Sequence, residues 1–222
     1  MVKFSWRSPK GRLIASREVE ATLATFWNRL RHLCVSHIPM LPAADADQMD
    51  KGELRVLYTL ACGVDAGLDV VEIGSYRGNS TIALARGAAA GNRVRVYAID
   101  PHVHFIGPKG GIYGPADQAA LYRNITKHGV GELVAIVCLP SGAVAKSWTG
   151  QSVGLLWIDG DHRYESVRLD LDSWYPHVVS GGIIAFHDSD DEGVRRTIGE
   201  AIDAGKVERL GREGALSWFS KR

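Results

Sequence analysis

The sequence predicts an α/β fold: a doubly wound, mostly parallel sheet of seven strands that ends in an antiparallel C-terminal hairpin and is preceded by N-terminal helices. Three observations carry this. Short β-rich runs at 69–74, 94–99, 133–138, 154–158 and 182–186 alternate with segments of helical periodicity, the signature of βαβ units. Val207-Glu208-Arg209-Leu210 and Leu216-Ser217-Trp218-Phe219 flank Gly211-Arg212-Glu213-Gly214, which reads as a terminal hairpin. The first run passes from Val70-Val71 through Glu72 into Gly74 and then a helix start, a Rossmann-like turn that places a ligand at the carboxyl end of a parallel strand.

The elements follow in order. Between Ser16 and Ile38, Val19, Leu23, Phe26, Trp27, Leu30, Leu33 and Cys34 form one apolar stripe opposed by polar residues, as in a docking helix. A Pro- and Ala-rich connector spans Pro39 to Asp47. Asp50-Lys51-Gly52-Glu53 then has the shape of a capping box before Leu54, Leu57, Tyr58 and Ala61, so a second helix should end at Gly63. We read residues 1–66 as a helical extension, either an edge cover, a cap on the acceptor pocket or a homodimer contact, and 67–222 as the main domain. Helices read near 79–90, 117–128, 142–148, 164–174 and 193–203.

Composition narrows the function. The 222 residues suit one domain with an extension, and 26 Lys and Arg against 25 Asp and Glu give a formal charge of +1. Nothing in that balance asks for nucleic acid or an acidic membrane, which leaves a small molecule as partner. Cys34, Cys62 and Cys138 lie far apart in apolar contexts and read as reduced thiols. No apolar leader and no stretch of about 20 apolar residues is present, so a soluble, cytoplasmic protein is expected.

The glycine turn is not a dinucleotide fingerprint, because Tyr76 stands where G-x-G-x-x-G needs its second glycine. That disfavours a nicotinamide-dependent oxidoreductase. An acid able to accept from an amino group, followed by backbone amides able to meet a carboxylate, suits a methionine moiety instead. The stretch from Val70 to Thr81 resembles motif I of the class I S-adenosylmethionine-dependent methyltransferases, in the variant of the metal-dependent O-methyltransferases. The block Ile158-Asp159-Gly160-Asp161-His162-Arg163-Tyr164-Glu165, with Gly181-Gly182-Ile183-Ile184-Ala185-Phe186-His187-Asp188, is similar to cephalosporin-hydroxylase-like and macrolide-sugar O-methyltransferase proteins. The likeness spans roughly residues 50 to 205.

This resemblance implies the class I sheet, with its last strand inserted antiparallel. It also implies S-adenosyl-L-methionine as donor and a hydroxyl acceptor, a sugar or glycoside first and a catechol or other phenol second. A non-catalytic cofactor-binding subunit of the same fold is the rival outside enzymes. Strand ends supply the candidate residues. For the cofactor these are Glu72, Gly74, Ser75, Gly78, Asn79, Ser80, Asp100 for the ribose, Ser141 near the adenine, and Asp159.

By position in the resembled group, Asp159 and Asp188 would hold magnesium or another divalent metal, with His187 or Asp161 as third ligand. Two acids closing adjacent strands about 5 Å apart resist joint ionisation, and a cation removes that conflict. Imidazole in the set leaves the metal's identity open. An aliphatic hydroxyl needs a base, and His102, His104, His162 and His187 all fall on the rim. His162 or His102 is the first choice, with Asp159 as the third catalytic candidate. The glycine-rich stretch from Pro101 to Pro115 is too long for a minimal βα loop and reads as a lid or an insertion, with Phe105 and Tyr113 able to stack on an acceptor.

Overall fold

In a computed structural model the described residues are 49–107 and 110–222. The helix read at 16–38, the connector after it and Cys34 lie outside them. The described residues fall within one compact unit, Pro39–Arg222, so the boundary drawn at residue 66 lies inside that unit. Helix α1 (Lys51–Cys62) starts at the expected capping box: Asp50 Oδ1 accepts from the Glu53 amide at 2.9 Å, Glu53 Oε2 accepts from the Asp50 amide at 3.0 Å, and Gly63 closes the helix.

The elements that follow are β1 (Asp69–Ile73), α2 (Asn79–Ala90), β2 (Val96–Ile99), β3 (Phe105–Ile106), β4 (Ile112–Tyr113), α3 (Pro115–Lys127), β5 (Val134–Val137), α4 (Ser141–Lys146), β6 (Val153–Ile158), α5 (Tyr164–Trp174), β7 (Val178–Phe186), α6 (Glu192–Asp203), β8 (Val207–Glu213) and β9 (Leu216–Lys221). The main sheet has seven strands in the order β5-β2-β1-β6-β7-β9-β8, with β9 inserted antiparallel beside β7, as the resemblance implied. The terminal turn sits later than the sequence reading placed it. β8 runs on to Glu213 because Gly211 takes up a register irregularity opposite Trp218, and the turn is Gly214-Ala215. The stretch after β2 is not a plain loop, since Phe105 pairs with Tyr113 and Ile106 with Ile112 in a small hairpin.

Central strands β1 and β6 are buried along their whole length, as apolar strands covered on both faces must be. The core cluster includes Val71, Leu156, Trp174, Ile184, Phe186 and Phe219. Registry then positions the site. Ile73 pairs with Ile99 and Ile158, and Ile158 with Phe186, so the next residues, Gly74, Asp100, Asp159 and His187, leave the sheet at one level. The ladder continues into this row, with the Asp159 amide donating to Ile73 O at 2.8 Å and the His187 amide to Ile158 O at 3.1 Å.

Helix α1 crosses α2 at Gly87, where an added Cβ would lie 2.1 Å from the Tyr58 carbonyl oxygen. Alanine would raise helix propensity by about 1 kcal/mol in an open helix. Here the clash is with backbone, so Gly87→Ala is expected to destabilise by about 1–3 kcal/mol in urea unfolding; a stabilised variant would contradict the packing.

Glu72 lies below the rim and is fully buried, with Oε1 accepting from Ser80 Oγ at 2.5 Å and Oε2 from Thr81 Oγ1 at 2.6 Å. Burial pushes its pKa up to about 8, opposed by these two hydroxyls and reinforced by the charges of Asp159 and Asp100. The folded chain therefore holds this proton where the unfolded chain has lost it, and stability falls as pH rises through the window from the ordinary carboxyl range to about 8. Against Glu72→Gln, whose amide keeps no such proton, wild-type stability should decline by up to about 1.4 kcal/mol per pH unit across that window. Denaturant unfolding at pH 5, 6.5 and 8 measures the difference; parallel curves would refute a proton held at Glu72.

Candidate functional site

The turn after β1 supplies one half of the site. Gly74 has φ +88°, and a Cβ there would meet the Asp159 carbonyl oxygen at 2.2 Å, so glycine lets the β1 and β6 ends approach. Gly78 precedes α2, whose first residues are Asn79 and Ser80. Asp100 ties this turn to the next loop, with Oδ2 accepting from the Tyr76 amide at 3.0 Å and Oδ1 from the His102 amide at 2.9 Å. Its oxygens keep second lone pairs that suit ribose hydroxyls. Ser75 is buried, and its Oγ has no hydrogen-bond partner among the described residues. A buried hydroxyl in want of a partner beside an acid and a glycine turn is what an incoming cofactor carboxylate or hydroxyl would satisfy, so the residues fit S-adenosylmethionine.

The ends of β6 and β7 supply the other half. His162 places Nε2 3.5 Å from Asp159 Oδ1, and its Nδ1 lies 3.2 Å from both Asp188 Oδ2 and Asp191 Oδ2. One ligand atom each from His162, Asp188 and Asp191 fall within 4.8 Å of one another, a spacing that can hold a cation. One imidazole and neighbouring carboxylates suit a borderline or hard divalent ion. Burial works against charge on His162, but Asp159, Asp188 and Asp191 outweigh it and raise its pKa. Burial would likewise raise Asp159, yet hydrogen bonds from His162 and His187 hold it below the ordinary carboxylate range.

Several expectations change. His187 is buried, with Nδ1 3.2 Å from Asp159 Oδ1 and Nε2 3.4 Å from Glu53 Oε2. Burial disfavours its charge, but Asp159, then Asp188 and Glu53, push its pKa up to about 9. With both nitrogens facing carboxylates, His187 lies outside the group whose ligand atoms come within 4.8 Å of one another, where Asp191 and His162 accompany Asp188. Asp161 is drawn away by Ser166 Oγ at 2.8 Å and Arg163 at 3.0 Å. His102 is buried with its ring nitrogens 3.0 Å from the carbonyls of Asp100 and Tyr76, which leaves it holding two loops together rather than facing an acceptor. His104 is exposed. Ser141 Oγ donates to Asp170 rather than lying open to adenine. Glu72 already serves two hydroxyls, so direct acceptance from a cofactor amino group gives way to support of α2 from below.

Three loop residues at the rim, Tyr76, His102 and Asp188, have positive φ of 44°, 48° and 43° without being glycine. Such backbone costs roughly 1–3 kcal/mol each and gathers where geometry is imposed by function. At Asp188 it follows immediately on the row of strand ends and brings the carboxylate to His162. The small hairpin leans over this rim: the Tyr113 ring meets Tyr76 edge-on at 5.2 Å, and the Arg163 guanidinium lies 5.3 Å from the Phe105 centroid. The sequence reading places Glu53 only in a helix cap and does not single out Asp191, for which the Asp188-x-x-Asp191 spacing just before α6 is the available signal.

A family described as a methyltransferase domain matches residues 71–189. Among solved structures, the cofactor-bound Rv0187 from MTB aligns with a TM-score of 0.62 at 20% identity over 95% of this chain and 92% of that one. The O-methyltransferase NovP gives 0.68 at 16% identity over 81% and 84%, and the calicheamicin methyltransferase CalS11 gives 0.60 at 15% over 99% of both chains. At such identities the likeness establishes the fold, that of class I enzymes. With the family match spanning the glycine turn, Asp159, His162 and Asp188, the chain belongs to the methyltransferase-domain family, as an S-adenosylmethionine-dependent methyltransferase.

Proposed function

We propose that the protein methylates a hydroxyl of a small molecule, a sugar or glycoside in the first place, with a divalent metal assisting. The observation that carries this is the convergence of Asp159, His162, Asp188 and Asp191 beside the Gly74 turn. The solved relatives named as O-methyltransferases support oxygen as the acceptor atom.

S-Adenosylmethionine supplies an electrophilic methyl group on a sulfonium, and a divalent ion would add Lewis-acid polarisation of the acceptor hydroxyl. Residues of this chain do the rest. Ser75 and Asp100 hold the donor, and Asp188 and Asp191 would hold the ion beside His162, whose ring stays free to act as base. In-line displacement needs the acceptor oxygen aligned with the methyl group, so the fixed level of the strand ends is itself catalytic geometry. His162, freed of its proton, takes the hydroxyl proton, and Asp159 at 3.5 Å orients its ring and stabilises the imidazolium that results.

An open cleft of about 290 Å³ beside this cluster is lined by His162, Arg163, Tyr164, Glu192, Gly193 and Arg196. Its charged and aromatic lining supports a polyhydroxylated acceptor. The hairpin favours the second reading, a catechol or phenol, because Ile106 and Ile112 are exposed beside Phe105 and Tyr113. We read that hairpin as a lid over the acceptor and residues 1–66 as the cap or dimer contact.

Purified protein with donor, magnesium or manganese, and a panel of saccharides and phenols should release S-adenosylhomocysteine above blank; none from any acceptor would refute the proposal and favour the non-catalytic subunit. His162→Ala should lower turnover by roughly 10²–10⁴-fold, the usual worth of a positioned base. Asp188→Ala should remove the response to added metal while S-adenosylhomocysteine still binds. Wild-type activity in either variant would clear that residue of its role.

A further inference from the structure

We propose that Glu53, on the first turn of α1, is a positioning residue for the rim: it grips Nε2 of His187 so that Nδ1 of the same ring is held against Asp159. The inference rests on the methyltransferase reading, and adds to it a residue far from the motifs. A glutamate in a capping box ordinarily serves one amide at an exposed helix end. Glu53 is only 4% exposed and serves three groups: the Asp50 amide at 3.0 Å, the Ala215 amide in the β8–β9 turn at 2.7 Å, and His187 Nε2 at 3.4 Å. A buried carboxylate is costly unless its partners are fixed, so a helix cap alone does not account for it.

The chain of contacts runs inward. From Glu53 it passes to His187, from His187 Nδ1 to Asp159 Oδ1 at 3.2 Å, and from Asp159 to His162, whose Nδ1 meets Asp188 and Asp191. The His187 ring lies 5.8 Å from the ring of Trp157, which is itself fully buried, so the imidazole is walled in on that side. With one nitrogen gripped from α1, the ring has a single way to face Asp159. Around metal-ligating histidines, losing the carboxylate that fixes the far ring nitrogen typically costs about 10–100-fold, and a cost of that order is expected for a ring that orients the base through Asp159. The helix cap, the terminal turn and the acid that orients His162 are thereby one unit.

Glu53→Gln removes the charge that faces His187, but its single amide oxygen cannot accept from both the Asp50 and Ala215 amides, so a helix-cap loss accompanies it. Its melting temperature should fall, as should that of Asp50→Ala, but its affinity for S-adenosylhomocysteine should match wild type while kcat falls at least about 10-fold with acceptor KM little changed. The downfield imidazole proton of His187 in proton NMR, assigned by its loss in His187→Asn, should shift or vanish in Glu53→Gln. Asp50→Ala carries the cap loss alone, lowering the melting temperature by about 2–4 °C while keeping that resonance and kcat. A Glu53→Gln protein with the resonance unmoved, or with wild-type kcat, overturns the proposal. Absence of turnover in wild type refutes the methyltransferase reading instead, and the resonance then decides whether Glu53 holds the ring.

Discussion

Asp159 accepting from two imidazoles is the interaction on which the site depends. Its carboxylate stands at the end of a central strand, close to Asp188 and Asp191 and above the buried Glu72. Without counter-charge, acids so near one another would protonate or push the strand ends apart. His187 on one side and His162 on the other hold Asp159 ionised. The two histidines are not equivalent, because His187 is enclosed between Asp159 and Glu53 while His162 opens onto the cleft. One is a fixed cation, and the other is the group able to exchange its proton for an ion or pass it on.

Backbone registry makes that interaction available. Paired rows of apolar residues end level at Ile73, Ile99, Ile158 and Phe186, so polar residues distant in sequence emerge side by side. Beyond the row the chain leaves the sheet through loops with left-handed residues at Tyr76, His102 and Asp188. The backbone strain there is offset by a well-buried core, and it aims the Asp100 and Asp188 carboxylates at their partners.

Much of this was legible in the residues. Alternation of β-rich and helical segments gives five parallel strands, and the capping box at Asp50-x-x-Glu53 and the stop at Gly63 place α1 to the residue. Strand-end logic places Asp100, Asp159 and Asp188 along one rim, with His162 just past β6. What was not legible depends on direction rather than position. A sequence does not say that His102 turns between two carbonyls, that Ser141 donates to Asp170, or that Asp161 is taken by Ser166 and Arg163. Nor does it show that Asp159 faces His187 across the sheet, with Asp188 one residue beyond, since that is set by pairing register. Glu53 reads fully as a helix cap from its spacing; its contact with a residue 134 positions away exists only in the fold.

If a methyl-donor pocket and a cation-holding cluster share this row of strand ends, the purified protein should bind both ligands. Calorimetric titration of the purified protein with S-adenosylhomocysteine, run with magnesium or manganese and again after chelation, tests it most directly. Donor-product binding is expected under both conditions, together with a separate binding heat for the metal that depends on buffer ionisation because His162 gives up its proton. No binding of S-adenosylhomocysteine under either condition would contradict it.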